Sequence, residues 1–153
     1  MKFDEIIWKP HVTVAAVIES GGRFLLVREQ IDGISVYNQP AGHLEAGESL
    51  VMAVIRETLE ETAWHFEPEA IVGLYRWLHP DKDETYLRVT FSGAAIRHDA
   101  TRQLDTDIEQ VVWMGAADIS RASCPLRSPM VLRSVEDYLS GTRYPLSLLS
   151  DIA

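Results

Sequence analysis

The chain is short of three things, and each shortage excludes something. It has one cysteine, Cys124, in 153 residues. No intrachain disulfide can form, and the composition fits a reducing compartment. Basic side chains are outnumbered: 14 Lys and Arg against 23 Asp and Glu give a formal charge of −9 and a sequence pI near 4.9. So acidic a domain offers no broad basic face to a phosphate backbone, which argues against nucleic acid as a partner. An anionic phosphate ligand would need a bound cation to reverse the local field. Long hydrophobic runs are missing too. The longest, Val12 to Ile18, is far shorter than a membrane span, and the N-terminal MKFDEIIWKPH has neither an apolar h-region nor a cleavage pattern. The expectation is a cytoplasmic protein that does not engage a membrane.

What remains is ordinary globular material, 46% hydrophobic and 24% charged. Without repeats, low-complexity segments or linkers, it reads as a single domain over 1–153. His11 to Ile18 is β-branched and apolar, a buried strand. Ser20-Gly21-Gly22 turns the chain into a returning strand, Arg23 to Arg28, and Asp32-Gly33 turns it again. Tyr37 to Gly42 is punctuated by Pro40 and Gly42 and reads as a loop. A helix is predicted from about Ser49 to Thr62, with Ser49 as N-cap or Glu48 favouring its positive end. Val51, Ile55, Leu59 and Thr62 form its core stripe, which turns Glu57, Glu60 and Glu61 away from the core. Pro68 ends any helical continuation. Strands follow at Ile71 to Leu78 and Tyr86 to Phe91 around a polar loop, His79 to Glu84. A short strand at Val111 to Met114 and a second helix from Met130 to Leu139, with Gly141 as C′ residue, complete the reading. Strands and two helices in mixed order point to one α/β sandwich.

One stretch carries chemistry. Gly42 is followed after five residues by Glu48, then after seven by Arg56-Glu57-x-x-Glu60-Glu61. Carboxylates at i, i+3 and i+4 share one helical face and repel one another. A hard divalent cation with oxygen ligands offsets that repulsion, and Mg²⁺ suits such a set, with Mn²⁺ as a substitute. Arg56 lies one turn from Glu60, so an ion pair, joined by Glu48 from the preceding loop, would hold the carboxylates in place. Gly42 frees the backbone to bring a carbonyl, from Ala41 or Gly42, towards the metal. Such a site binds phosphate oxygens through the metal and lowers the pKa of a bound water, which is the chemistry of phosphoryl transfer to water. Acidic residues on a helix are usually just a solvated face, but six residue types at fixed offsets are a much rarer pattern.

The stretch resembles the Nudix box, G-x5-E-x7-R-E-U-x-E-E-x-G-U with U bulky and apolar. Gly42, Glu48, Arg56, Glu57, Glu60 and Glu61 match it position for position. Thr58 stands in place of U, Ala63 in place of the last Gly, and Trp64 is apolar but large. Ala63 makes a left-handed turn after the helix costlier, because it has a Cβ. His11 to Ala15, Asn38 to Glu45, Leu126 to Pro129 and Ser140 to Leu146 are similar to a phosphatase branch of that family, so the likeness covers nearly the whole chain.

The resemblance implies a Nudix α/β/α sandwich with a mixed sheet and Mg²⁺-dependent hydrolysis of a phosphoanhydride. Implied substrates are nucleoside tri- and diphosphates and hydroxymethylpyrimidine diphosphate, with orthophosphate released. It also implies Glu57 and Glu61 as the surest metal ligands, with Glu60 sharing, and an additional acid outside the box as base or extra ligand. Asp107 and Glu109 are the candidates placed ahead of Asp105. A rival reading is a Nudix pyrophosphohydrolase acting on nucleotide sugars or dinucleoside polyphosphates. A reading of another class is a non-catalytic nucleotide-binding module of the same fold, which would be expected to have lost box carboxylates.

The partner expected is a small nucleotide or diphosphate. Tyr37 and Trp77, and less directly Trp8 and Tyr86, offer aromatic faces to a flat heterocycle, although core packing explains each as well. Arg28 and Arg88, with Arg76, could contact substrate phosphate, although an exposed strand position would serve equally. His43 reads as a bystander in the box loop. Cys124 lacks a paired histidine signature and is not read as a nucleophile. The sequence sets no oligomeric state.

Overall fold

The computed structural model describes residues 6–153; the first five residues of the N-terminal stretch read above lie outside them. The apolar runs become strands buried on both faces, as expected where helices cover a sheet from two sides. β1 (His11–Ser20) and β2 (Arg23–Ile31) are joined by the Gly21-Gly22 turn, and β3 (Ile34–Asn38) follows the Asp32-Gly33 turn. After β4 (Ala41–His43) come α1 (Leu50–Thr62), β5 (Trp64–Leu78), β6 (Thr85–His98), β7 (Ile108–Gly115), α2 (Ala116–Ser120) and α3 (Pro129–Leu139), with a 3-10 turn at Leu146–Leu148. The strand order is β3-β2-β1-β6-β5, with β4 paired to β1 and β7 to β2. β1 and β6 run parallel and the other pairs antiparallel, so the sheet is mixed.

Two cores sandwich the sheet. Val14, Ala16 and Ile18 of β1, with Leu25 of β2 and Phe91 of β6, pack against Ala53 and Val54 of α1. The alternate residues Val17, Phe24 and Leu26 face the other way, with Ile119 of α2 and Val135 of α3. This is the expected α/β/α sandwich.

The structure departs from the sequence reading in four places. Tyr37 to Gly42 is not a loop: β3 pairs Asn38 with Val27, and β4 pairs Gly42 with Val14. Pro40, which lacks an N–H, sits between them and accepts from Ala16 N–H at 3.0 Å. Secondly, α1 is stopped by Ala63 rather than Pro68. Ala63 adopts the left-handed conformation (φ 62°) and its N–H bonds Leu59 O at 2.9 Å. Pro68 lies inside β5 beside a register shift. Thirdly, α2 is an additional helix.

The fourth departure concerns the face that α1 buries, which shares only Thr62 with the predicted stripe. Ala53, Val54, Thr58, Glu61 and Thr62 are buried, while Val51, Ile55 and Leu59 are half-buried. Thr58 and Thr62 enter the core because their hydroxyls bond the carbonyls of Val54 and Thr58 at 2.8 and 2.6 Å. Glu61 therefore points inward, while Glu57 and Glu60 are half-buried.

Candidate active site

Two neighbouring elements build the site. β4 is held against β1, and α1 begins where the Ser49 side chain accepts from Met52 N–H at 3.1 Å. This brings the β4 backbone against the acidic face of the helix. Ala41 N–H donates to Glu61 Oε1 at 2.8 Å. Gly42 meets Glu57 so closely that a Cβ there would overlap the carboxylate. Glycine is required at that position for contact, since its φ is not positive.

Arg56 organises the remaining acids. Its Nε and Nη2 donate to the two oxygens of Glu48 at 2.9 and 2.6 Å. Nη1 donates to Glu57 at 2.7 Å and Glu60 at 3.1 Å, and Nη2 also bonds His43 O at 3.0 Å. The planar guanidinium suits this bidentate geometry. Hydrogen bonding to Arg56 holds the Glu48 carboxyl below its ordinary range. The same contacts push the Arg56 guanidinium well above its own.

Of the three acids named outside the box, Asp105 is the one that stands beside the helix carboxylates. Asp105, ranked last by sequence, joins Glu57 and Glu60: one carboxylate oxygen of each lies within 4.8 Å of the others. Asp105 is tethered there by its N–H to Glu60 O at 3.2 Å. Glu109 is held elsewhere, accepting from Ser35 Oγ at 2.6 Å and facing Arg28 at 3.5 Å. The Asp107 carbonyl accepts from Gln30 N–H at 3.0 Å, on the β2 side. Sequence distance to the last strand did not reveal which acid the turn before it would fold back onto α1.

The electrostatics fit a cation. Burial pushes the Glu61 carboxyl up to about 9, against the Ala41 N–H that lowers it; Glu29, Glu57 and Asp105 raise it further. Burial also raises Glu57, with Arg56 opposing. Crowded, partly desolvated carboxylates beside one arginine form a hard oxygen donor set that could hold a divalent metal ion.

Beside β4 opens a cavity of about 500 Å³, lined by Thr13, Glu29, Val36, Asn38, Ala41, Gly42, His43, Trp77, His79, Tyr86, Arg88 and Arg127, among others. Strand alternation explains the membership. Thr13 lies opposite Arg88, and Tyr86 opposite Trp77, so these side chains share a face. Trp77 and Tyr86 stand with ring centroids 5.7 Å apart, and Tyr86 stacks on His11 at 5.0 Å. Arg28 and Tyr37 are register partners on the opposite face from Glu29 and Asn38, so neither lines the cavity. Arg28 instead pairs with Glu109, and Tyr37 packs in the α2–α3 core. Trp8 is exposed. Arg88 is not on an exposed strand position; it is 3% exposed and donates to Asn38 Oδ1 and Gln39 Oε1, both at 3.1 Å. Burial lowers its guanidinium to about 10. Sequence reading missed Glu29, Asn38 and Arg127 as cavity residues. A carboxylate following the buried run Phe24–Val27 was the available signal for Glu29.

A NUDIX domain profile matches residues 9–133. The chain belongs to the Nudix family. Phosphatase NudJ of Escherichia coli strain K12 is 44% identical over 145 residues, covering 95% of this chain and 94% of that protein. The NUDIX hydrolase from Nitrosomonas europaea superposes with a TM-score of 0.92 at 46% identity, over 94% of this chain and 98% of the other. The NUDIX domain of Shewanella oneidensis NrtR, complexed with ADP ribose, shares the fold at a TM-score of 0.69 and 18% identity, over 87% and 90% of the two chains. As a Nudix hydrolase the chain is an enzyme acting on phosphoanhydrides. Among the described residues no helix is long and apolar enough to cross a membrane.

Proposed function

We propose that this Nudix hydrolase is a Mg²⁺-dependent phosphatase. It removes the terminal phosphate from nucleoside di- and triphosphates or a related diphosphate, such as hydroxymethylpyrimidine diphosphate, and releases orthophosphate in the cytoplasm. The observation that carries the reading is the convergence of Glu57, Glu60 and Asp105 next to a cavity large enough for a nucleotide. The 44% identity to a relative named a phosphatase, across 95% of the chain, supports the phosphatase assignment.

Glu57, Glu60 and Glu61 would hold the ion, with a carbonyl of Ala41 or Gly42. When bound, the ion neutralises phosphate charge and lowers the pKa of a coordinated water. The protein's own work is positioning. Arg56 fixes Glu48, Glu57 and Glu60 in one geometry. The Ala41 N–H orients Glu61. Whichever acid is left free of the ion accepts the proton of the attacking water, and Asp105, on a turn rather than on the helix, is best placed for that role.

The test is a substrate panel of nucleoside di- and triphosphates, hydroxymethylpyrimidine diphosphate and nucleotide sugars, with Mg²⁺ and product identification. Orthophosphate supports this reading. Pyrophosphate, or a nucleoside monophosphate with a sugar phosphate, supports a pyrophosphohydrolase instead, and nucleotide binding without turnover supports a binding module. Glu61→Gln should lose at least about a hundredfold in kcat with the fold retained, as expected for removal of a charged group acting at the reacting centre. Full activity in that variant would discard the ligand assignment.

A further inference from the structure

The cavity wall carries a cation that the protein leaves without a counterion. Arg127 comes from the segment before α3, which runs alongside β3. Tyr37 N–H donates to Pro125 O at 3.0 Å, and Arg127 N–H to Tyr37 O at 2.8 Å. Leu126 is the bridge partner of Tyr37 and packs with it in the α2–α3 core. Alternation turns Arg127 to the other face, where it lines the cavity with Asn38. Arg127 is half-buried, and its Nη1 is buried without a hydrogen-bond partner. No carboxylate stands within 4.0 Å of its guanidinium among the described residues. That is informative in a chain with 23 Asp and Glu against 14 Lys and Arg, where partners are plentiful. A partly desolvated charge without a partner is costly unless a ligand supplies one.

The other arginine of that wall is already served. Arg88 donates to Asn38 and Gln39, and Glu61 of the box and Glu29 support its charge. Glu29 acts in turn on Glu61, so this wall and the acidic site form one electrostatic unit. Arg127 acts on His43, the neighbour of Gly42 in β4, and on Tyr86 of the aromatic pair. It therefore stands near both the box and the rings. The anion that feels it most is Glu29, which is engaged by Asn38 Nδ2 at 3.3 Å and lies beyond ion-pair distance of Arg127. Arg88 and Arg127 also repel one another, and an anion between the box and the rings offsets that repulsion.

Resting on the hydrolase reading above, we propose that Arg127 binds the phosphate that stays with the product. Its guanidinium receives the inner phosphate of a nucleoside diphosphate or related diphosphate, while the outer phosphate meets the acidic cluster. As water adds to the outer phosphorus, the bond from that phosphorus to the bridging oxygen breaks. The bridging oxygen keeps the electron pair and leaves on the inner phosphate, and one water proton passes to a carboxylate of the cluster. The products are orthophosphate and a monophosphate whose negative charge has risen by one. Charge thus develops on the group that Arg127 holds. A fixed, partly desolvated cation there stabilises the transition state more than the ground state. A guanidinium suits the task because it offers a phosphate two parallel N–H donors.

The experiment compares Arg127→Gln and Arg127→Lys with the wild type, in turnover and in product binding. On the best-used diphosphate, Arg127→Gln should lower kcat/KM by at least about a hundredfold with far-ultraviolet circular dichroism unchanged, the scale of one group lost from developing charge. Arg127→Lys keeps the charge and should recover about tenfold of that loss. Full activity in Arg127→Gln overturns the proposal, and so does an equal loss in the two variants, which would mark Arg127 as structural. Dissociation constants with Mg²⁺ present, for CMP against cytidine and AMP against adenosine, read the contact without turnover. Arg127→Gln should weaken the monophosphate of the better-bound pair by about tenfold or more, as for a hydrogen bond to a charged group, and leave its nucleoside within about twofold. Equal weakening of both members, or of neither, overturns the assignment. If the wild type turns over no diphosphate, the hydrolase reading fails, and the binding comparison decides the role of Arg127 by itself.

Discussion

Arg56 makes five hydrogen bonds, to Glu48, Glu57, Glu60 and the His43 carbonyl. It is a positioning residue, since every bond goes to a group that shapes the acidic cluster. Lysine carries the same charge but a single ammonium, and cannot reach these partners from one point. Arg56→Lys should therefore lower kcat/KM by about a hundredfold, with far-ultraviolet circular dichroism unchanged, because misplacement of about 1 Å costs that much. A steady-state comparison at saturating Mg²⁺ checks this. The box pattern pointed to this residue directly, because its offsets set Arg56 one turn from Glu60 and within reach of Glu48. Asp105 was less legible: nothing local in a run of loop acids says which one folds back to bond Glu60.

At the scale of elements, α1 depends on its two ends. Ser49 satisfies the Met52 N–H, so Ser49→Ala should destabilise the protein by about 1 kcal/mol in urea unfolding. At the other end, Ala63 holds φ 62° where the family pattern has glycine, yet its methyl is 3% exposed. Burial of that methyl offsets part of the left-handed cost. The helix span was legible because its start carries a cap residue and its interior is periodic. The buried face was not, because a helical wheel ranks side chains by polarity and cannot see Thr58 and Thr62 returning their hydroxyls to the backbone. Nor could it see β4 presenting an N–H to Glu61. The same blindness made β3 and β4 look like loop: Pro40 and Gly42 are turn signals in isolation, while the pairing of Gly42 with Val14 is a long-range fact.

Across the whole molecule, the acidic cluster ties stability to pH and to metal. In the metal-free protein Glu61 keeps its proton up to about pH 9 when folded and releases it near 4.5 when unfolded. Between those values the folded state binds more protons, so this group's contribution falls as pH rises. Thermal unfolding in chelator should show Tm decreasing from pH 6 to pH 9. Glu61→Gln should flatten that slope, while Mg²⁺ should raise the wild-type Tm most at the alkaline end, since binding to the folded state alone stabilises it. A slope unchanged by the substitution would remove Glu61 as its source. The sheet carries a different consequence for how the molecule comes into being. Its central parallel pairing sets Val14 beside Val89, and the hairpin β1–β2, the box helix and β5 all lie between them in the chain. Loop-closure entropy must be met before that seam rewards the polypeptide. A ribosome must therefore have released most of the domain before its middle can zip, and refolding should be slow compared with that of helical bundles of similar length.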